Sequence, residues 1–201
     1  MSRSNGLTYV RETLIRNASI FKNCSLCIYV NETDLAELLP ELDGLTYTVI
    51  PRTTDDSALH MLKNGRYWEA HLCMDFMYSM TVAIGLHLEC KYFMWLEDDV
   101  LLHPRFIDIW NSRGNFGWTA NGHGGTCIIS EVNHLVNHIL PTIKTNYLIA
   151  GHPLDLMYDL YGKQTPLREK VAFHIGVQSS NTSIRHQDDR NEYNSVISKY
   201  K

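Results

Sequence analysis

The chain has 201 residues, of which 44% are hydrophobic and 20% charged, with a formal net charge of -4. That length supports one domain with its own core, needing no disulfide or metal staple. The acidic balance gives no footing for nonspecific binding to nucleic acid or anionic membrane, and no apolar run approaches the roughly 18 residues of a membrane span.

In chain order, Met1 to Gly6 lacks the apolar core of a signal peptide. Leu26 to Val30 is a short, continuous apolar run, as expected of a buried parallel strand. Asp34 with Glu37 reads as a capping box for a short helix through Leu39. Leu45 to Ile50 is a second strand, stopped by Pro51. Tyr67 to Leu88 is the longest helical candidate, with Trp68, Leu72, Phe76, Met80 and Ile84 as an apolar stripe. Tyr92 to Leu96 is a third strand, and Thr126 to Ser130 a fourth. A helix is expected from Glu131 to Leu140, ended by Pro141. His152-Pro153 opens another, closed by Gly162. Val171 to Val177 is a late strand, and from Gln178 onward the polar chain reads as surface loop.

Strands alternating with helices predict a three-layer α/β/α domain with a mostly parallel central sheet. One domain is expected over residues 1–201. In such sheets ligands bind beyond the carboxyl ends of the strands, which directs attention to the residues after Val30, Leu96 and Ile175.

Five cysteines, at 24, 27, 73, 90 and 127, form an odd, scattered set that reads as structural thiols rather than a disulfide framework. Cys24 and Cys27 open a strand, where side chains three apart face opposite sides, and no second pair completes a zinc site. Asn17, Asn23, Asn31 and Asn181 begin glycosylation sequons that matter only in a secreted chain.

The strongest chemical signal is the triplet Glu97-Asp98-Asp99, which follows five large apolar residues. Carboxylates at the end of a buried strand are costly unless paired or bound to a cation. On an extended chain Glu97 and Asp99 share a face and can hold a hard cation. Asp98 faces the other way, where it can accept hydrogen bonds from a ribose or from backbone. The competing reading is a solvated acidic loop that caps the next helix. A late strand carries His174, followed by Ile175-Gly176. Glycine there permits close approach of backbone to a phosphate, although a lone strand histidine is more often a satisfied structural residue.

Tyr92-Phe93-Met94-Trp95-Leu96-Glu97-Asp98-Asp99-Val100 resembles the D-x-D segment of GT-A-fold glycosyltransferases, in an E-D-D form. Phe173-His174-Ile175-Gly176-Val177-Gln178-Ser179-Ser180 is similar to the late H-x-G segment of several such families, including the N-acetylglucosaminyltransferase IV group. The short form without an anchor also resembles the glycosyltransferase domain that large chlorella viruses encode for their capsid glycans. The resemblance implies a nucleotide-diphospho-sugar transferase domain, with 1–100 as its nucleotide-binding half and 101–201 as its acceptor side. It implies Mn²⁺ or Mg²⁺ held directly by Asp99 and His174, with Glu97 acting through a water or from behind them. The donor it implies is a UDP-sugar, and the acceptor a glycan or glycoprotein. Localisation is then expected in the cytoplasm (the host's, if viral), and in a lumen only if this chain is part of a longer one.

The resemblance also places Tyr29, Asn31 and Thr33 where the nucleotide base and ribose are received, although Thr33 or Asp34 can instead cap a helix. It puts Arg66 near the nucleotide, where a guanidinium grips phosphate in bidentate fashion. Arg52 is a weaker candidate of the same kind. Trp118 to Gly125 resembles the segment lying against donor sugar and acceptor, with Trp118 or His123 packing on a sugar ring. Asp155 is the candidate catalytic base for an acceptor hydroxyl. It shares a helical face with Asp159, and an acid in a helix's first turn can equally serve only the dipole. Arg168, Lys170, Arg185 and Arg190 flank the late strand as candidates for closing on a diphosphate. Two other readings stand beside the transferase. One is a metal-dependent phosphoryl enzyme, such as a nucleotidyltransferase or nuclease; the other is a carbohydrate-binding module without catalysis.

Overall fold

A computed structural model describes residues 6–52, 67–112, 118–120, 127–147, 154, 170–176 and 188–200. The expected helix carrying Asp155 and Asp159 lies outside these residues except for Leu154, as do Arg66, His123, Arg168, Ser179, Ser180 and Arg185.

The described residues open with a helix that the expected elements did not include, α1 (Gly6–Phe21). It leads into β1 (Leu26–Val30) and α2 (Glu32–Leu38). Asn31, not Asp34, caps α2: its extended backbone lets the side-chain oxygen accept the Asp34 N–H at 2.8 Å. After a 3₁₀ turn (Leu39–Leu42), β2 (Tyr47–Pro51) runs one residue past the expected stop. Pro51 closes the strand opposite Val30, where a missing N–H is tolerated. Next come α3 (Tyr67–Leu86), β3 (Tyr92–Leu96), β4 (Val100–Leu102) and α4 (Phe106–Asn111). They are followed by β5 (Trp118–Ala120) and β6 (Cys127–Glu131).

Pro141 does not end the following helix. A first turn, α5 (Val132–His134), widens into a π segment (Leu135–Ile139), and α6 (Leu140–Asn146) continues beyond it with Pro141 in its first turn. In a straight α-helix the proline ring would meet the carbonyl four residues back; the wide turn just before it relieves that conflict. The late strand is shorter than expected, β7 (Ala172–His174). The polar C-terminal stretch is not only loop, because it holds α7 (Arg190–Ser198), whose Tyr193 is buried.

The fold is mixed α/β, but among the described residues the strands are not mostly parallel. β1 and β2 pair in parallel, whereas β3–β6, β5–β6 and β4–β7 are antiparallel, in three small sheets. Antiparallel pairing requires no helical crossover, and the six residues between β5 and β6 leave no room for one.

Side chains along β3 alternate between two cores as the pleat demands. Tyr92, Met94 and Leu96 join a core with Leu14 and Phe21 of α1, Leu38 of α2 and Phe106 of α4. Phe93 and Trp95 face a second core with Phe76 and Met80 of α3, Ile139 of the π segment and Ile143 of α6. A third cluster joins Leu101, Phe173, Ile175 and Tyr193, and so ties α7 to β4 and β7.

Candidate metal centre

β3 ends at Leu96, and the chain turns through Glu97-Asp98-Asp99 before β4 begins. β4 pairs with β7 in a register that sets Val100 opposite His174 and Leu102 opposite Ala172. The Ile175 N–H donates to the Asp99 carbonyl at 2.9 Å and extends this ladder by one step. The result is that His174 Nε2 lies 3.1 Å from Asp99 Oδ2. One ligand atom from each of Glu97, Asp99 and His174 can be chosen so that all lie within 4.8 Å of one another. All three side chains are partly buried, whereas Asp98 is exposed. Glu97 and Asp99 thus come together with His174 while Asp98 is exposed, but across a turn rather than along the extended strand that was expected.

Gly176 makes this approach possible. A Cβ built there would overlap Asp99 Oδ2, and would stand 2.9 Å from Asp99 Cγ and 3.2 Å from His174 Cε1. The glycine is needed for space, because its φ is not positive. Its expected role, close approach of backbone, is therefore directed at the Asp99 carboxylate.

The hydrogen bond that His174 donates to the Asp99 carboxylate raises its pKa above the ordinary value, more than burial lowers it; the charges of Asp99, Glu97 and Asp189 act in the same upward direction. Beneath the triplet, Cys127 pairs with Leu96. Its thiol is pushed up to about 12 by burial and by the charge of Glu97, so it stays a neutral wall.

The supporting contacts come from elements that the motifs do not reveal. Thr13 Oγ1 of α1 donates to the Asp98 carbonyl at 3.0 Å. Asn17, fully buried, donates to the Val100 carbonyl at 2.9 Å and accepts the Leu102 N–H at 2.8 Å. A side-chain amide thus serves β4 as a neighbouring strand would, which rules out Asn17 as a glycan acceptor in the folded chain. On the outer side of β7, Asp189 N–H donates to the His174 carbonyl at 2.9 Å. Asp189 Oδ2 accepts from the His174 N–H at 3.2 Å. Asp189-x-x-Glu192 has the spacing of a capping box, the one sequence signal that announces α7.

The other candidates separate. Tyr29 turns its hydroxyl to Asp75 Oδ1 at 2.8 Å, with its ring 6.0 Å from that of Tyr78. Arg52 pairs with the same carboxylate at 2.9 Å, and His71 approaches it at 3.1 Å. Asn31 is committed to capping α2, and Thr33 lies within that helix. Lys170 bridges Asp189 and Glu192 at 2.7 and 2.8 Å. Arg190 grips Glu12 and Asp188 and donates to the Ile175 carbonyl. These two cations hold β7 and α7 together in this arrangement rather than standing ready for a diphosphate.

The cluster fits a divalent cation. Ligand atoms around one ion at about 2.1 Å lie about 3 to 4.2 Å apart, so a small contraction of the three groups suffices. Two carboxylates with one imidazole suit Mn²⁺ or Zn²⁺ better than the all-oxygen preference of Mg²⁺. No family model and no curated protein sequence matches this chain. Among the described residues, no helix is long and apolar enough to cross a membrane.

Proposed function

We propose that this chain is a metal-dependent glycosyltransferase of the GT-A type, moving a sugar from a nucleotide-sugar donor, most simply a UDP-sugar, to a glycan or glycoprotein acceptor. The observation that carries the reading is the convergence of Asp99 and His174 over Gly176. Two segments that resemble the family's metal-binding motifs, roughly 75 residues apart in sequence, meet at one point. Helices on both faces of β3 are in keeping with a three-layer domain.

Asp99 and His174 would hold the cation directly, and Glu97 would complete the set from the same face. The bound ion would offset the negative charge that develops on a departing diphosphate. Gly176 leaves the space that the Asp99 carboxylate fills. Asp98 is exposed beside the cluster, on the side where a ribose would be received. Asp155 remains the proposed base for the acceptor hydroxyl. Among the described residues Glu97, Asp99 and His174 form the one group of this kind. A nucleotidyltransferase or nuclease site usually draws further acids from neighbouring strands, so this favours the transferase.

Calorimetry with UDP, with and without Mn²⁺, tests the reading. UDP is expected to bind in the presence of Mn²⁺ and to lose at least about tenfold in affinity with chelator or in Asp99→Asn. Equal binding of UDP under all three conditions would reject it. Release of nucleotide from a nucleoside triphosphate, with no sugar transfer from any UDP-sugar, would move the assignment to the phosphoryl enzymes.

A further inference from the structure

The ladder between β4 and β7 dictates which backbone groups of the metal-binding segment still need partners. The Ile175 N–H donates to the Asp99 carbonyl, and at the far end the His103 N–H donates to the Val171 carbonyl at 2.8 Å. Val100 stands opposite His174 and Leu101 opposite Phe173. Antiparallel pairs alternate, so Leu101 and Phe173 exchange hydrogen bonds and Val100 and His174 do not. The N–H and C=O of His174 therefore point away from β4. On β4 the same rule turns the Val100 carbonyl and the Leu102 N–H outward, where Asn17 meets them.

Asp189 does for His174 what Asn17 does for β4. Its N–H donates to the His174 carbonyl at 2.9 Å, and its Oδ2 accepts the His174 N–H at 3.2 Å. The residue is 8% exposed, and a buried anion is costly unless a cation balances it. Lys170 Nζ, 2.7 Å from the same Oδ2, supplies that balance. The next residue, Arg190, donates to the Ile175 carbonyl at 2.9 Å. Two consecutive residues at the start of α7 thus hold two consecutive residues of β7 and its extension, just ahead of Gly176. His174 ends a strand of three residues, and strand ends fray unless they are tied down. A charged acceptor ties an N–H about twice as strongly as a neutral one.

Resting on the metal centre proposed above, we propose that Asp189 is a positioning residue for it. By holding both backbone groups of His174 on the side away from β4, Asp189 fixes the imidazole against Asp99 and so sets the affinity for the divalent cation. It acts through His174 rather than as a ligand.

The test is Mn²⁺ calorimetry on the full chain, comparing wild type, Asp189→Ala and Asp189→Asn well below the melting temperature of each in chelator. Asp189→Ala is expected to lose at least about tenfold in affinity, as removing the support of a ligand commonly does. Asp189→Asn keeps an oxygen acceptor for the His174 N–H and is expected to recover part of that loss. Amide exchange in chelator should quicken at His174 in Asp189→Ala but not at Phe173, whose N–H lies inside the ladder. Unchanged Mn²⁺ affinity in Asp189→Ala would overturn this inference and leave the metal centre standing, whereas a wild type that binds no Mn²⁺ would reject both. Equal losses in the two variants, or exchange that quickens equally at Phe173, would assign the effect to general loosening of the chain and overturn the inference as well.

Discussion

His174 Nε2 stands 3.1 Å from Asp99 Oδ2, and the contact raises the histidine's pKa above its ordinary 6.5. A folded-state pKa above the unfolded one means that the native chain binds the extra proton more tightly. The stabilising contribution is therefore complete below about pH 6.5 and is lost as pH rises through the raised folded value. Urea unfolding in chelator should show wild type ahead of His174→Gln at pH 5.5, with the gap narrowing by pH 8.5. A gap that widens with pH would contradict the pairing. Metal binding requires the neutral imidazole, so Mn²⁺ affinity should rise over the same window.

Gly176→Ala should damage the centre without removing a ligand. The new methyl would overlap the Asp99 carboxylate and lie 3.2 Å from His174 Cε1. Overpacking of this kind costs about 1 to 3 kcal/mol. Displacing Asp99 should also weaken Mn²⁺ binding at least about tenfold, as disturbing the support of a ligand commonly does. Calorimetry and thermal unfolding together check it; unchanged Mn²⁺ affinity would show that the glycine is not needed for ligand placement.

Asn17→Ala removes a fully buried amide that serves both a carbonyl and an N–H of β4. Leaving two buried backbone groups unpaired should cost about 2 to 4 kcal/mol. For a chain of this size that is a fall in melting temperature of roughly 4 to 16 °C. Differential scanning calorimetry reads it directly, and a drop under 2 °C would mean that water replaces the amide. Expressed through a secretory route, the folded chain should also carry no glycan at Asn17.

Arg190→Met tests the attachment of α7. Arg190 contacts both carboxylate oxygens of Glu12 and donates to the Ile175 carbonyl at 2.9 Å. Charge-assisted bonds of this kind contribute about 1.5 to 3 kcal/mol each when protected from water, and less here because the side chain is partly exposed. Methionine keeps the stem's packing, so the loss reports the charge. Faster hydrogen exchange at Ile175 is the expected local sign, and no change there would detach Arg190 from the support of β7.

Much of the site could be read from residue order. An apolar run that ends in three acids, and a histidine two residues before a glycine, are local patterns; the grouping of Glu97 with Asp99 was expected from strand alternation, but a turn produces it. The strand starts at Leu26 and Tyr92 and the long α3 were also legible, because continuous apolar runs and four-residue stripes follow from the periods of strand and helix. The helices α1 and α7 were not. The apolar residues of α7, such as Tyr193, are sparse among polar ones, whereas α1 does carry Val10, Leu14 and Phe21 at helical spacing, a stripe that the expected elements did not include. Their main polar work, by Asn17, Asp189 and Arg190, is done on backbone groups of distant strands, which leave no mark in the neighbouring sequence.

The order of residues alone determined which side chains have metal-binding chemistry and which of them share a face along their own strand. Only the tertiary structure decided that β4 and β7 pair antiparallel, because a three-residue strand carries too little pattern to choose its neighbour. That pairing brings His174 onto Asp99. The same limit governs Tyr29, Arg52 and Lys170: sequence marks them as able to bind a ligand, but folding assigns their hydrogen bonds to Asp75 and Asp189, since a partly buried charge takes the nearest partner the packed chain supplies.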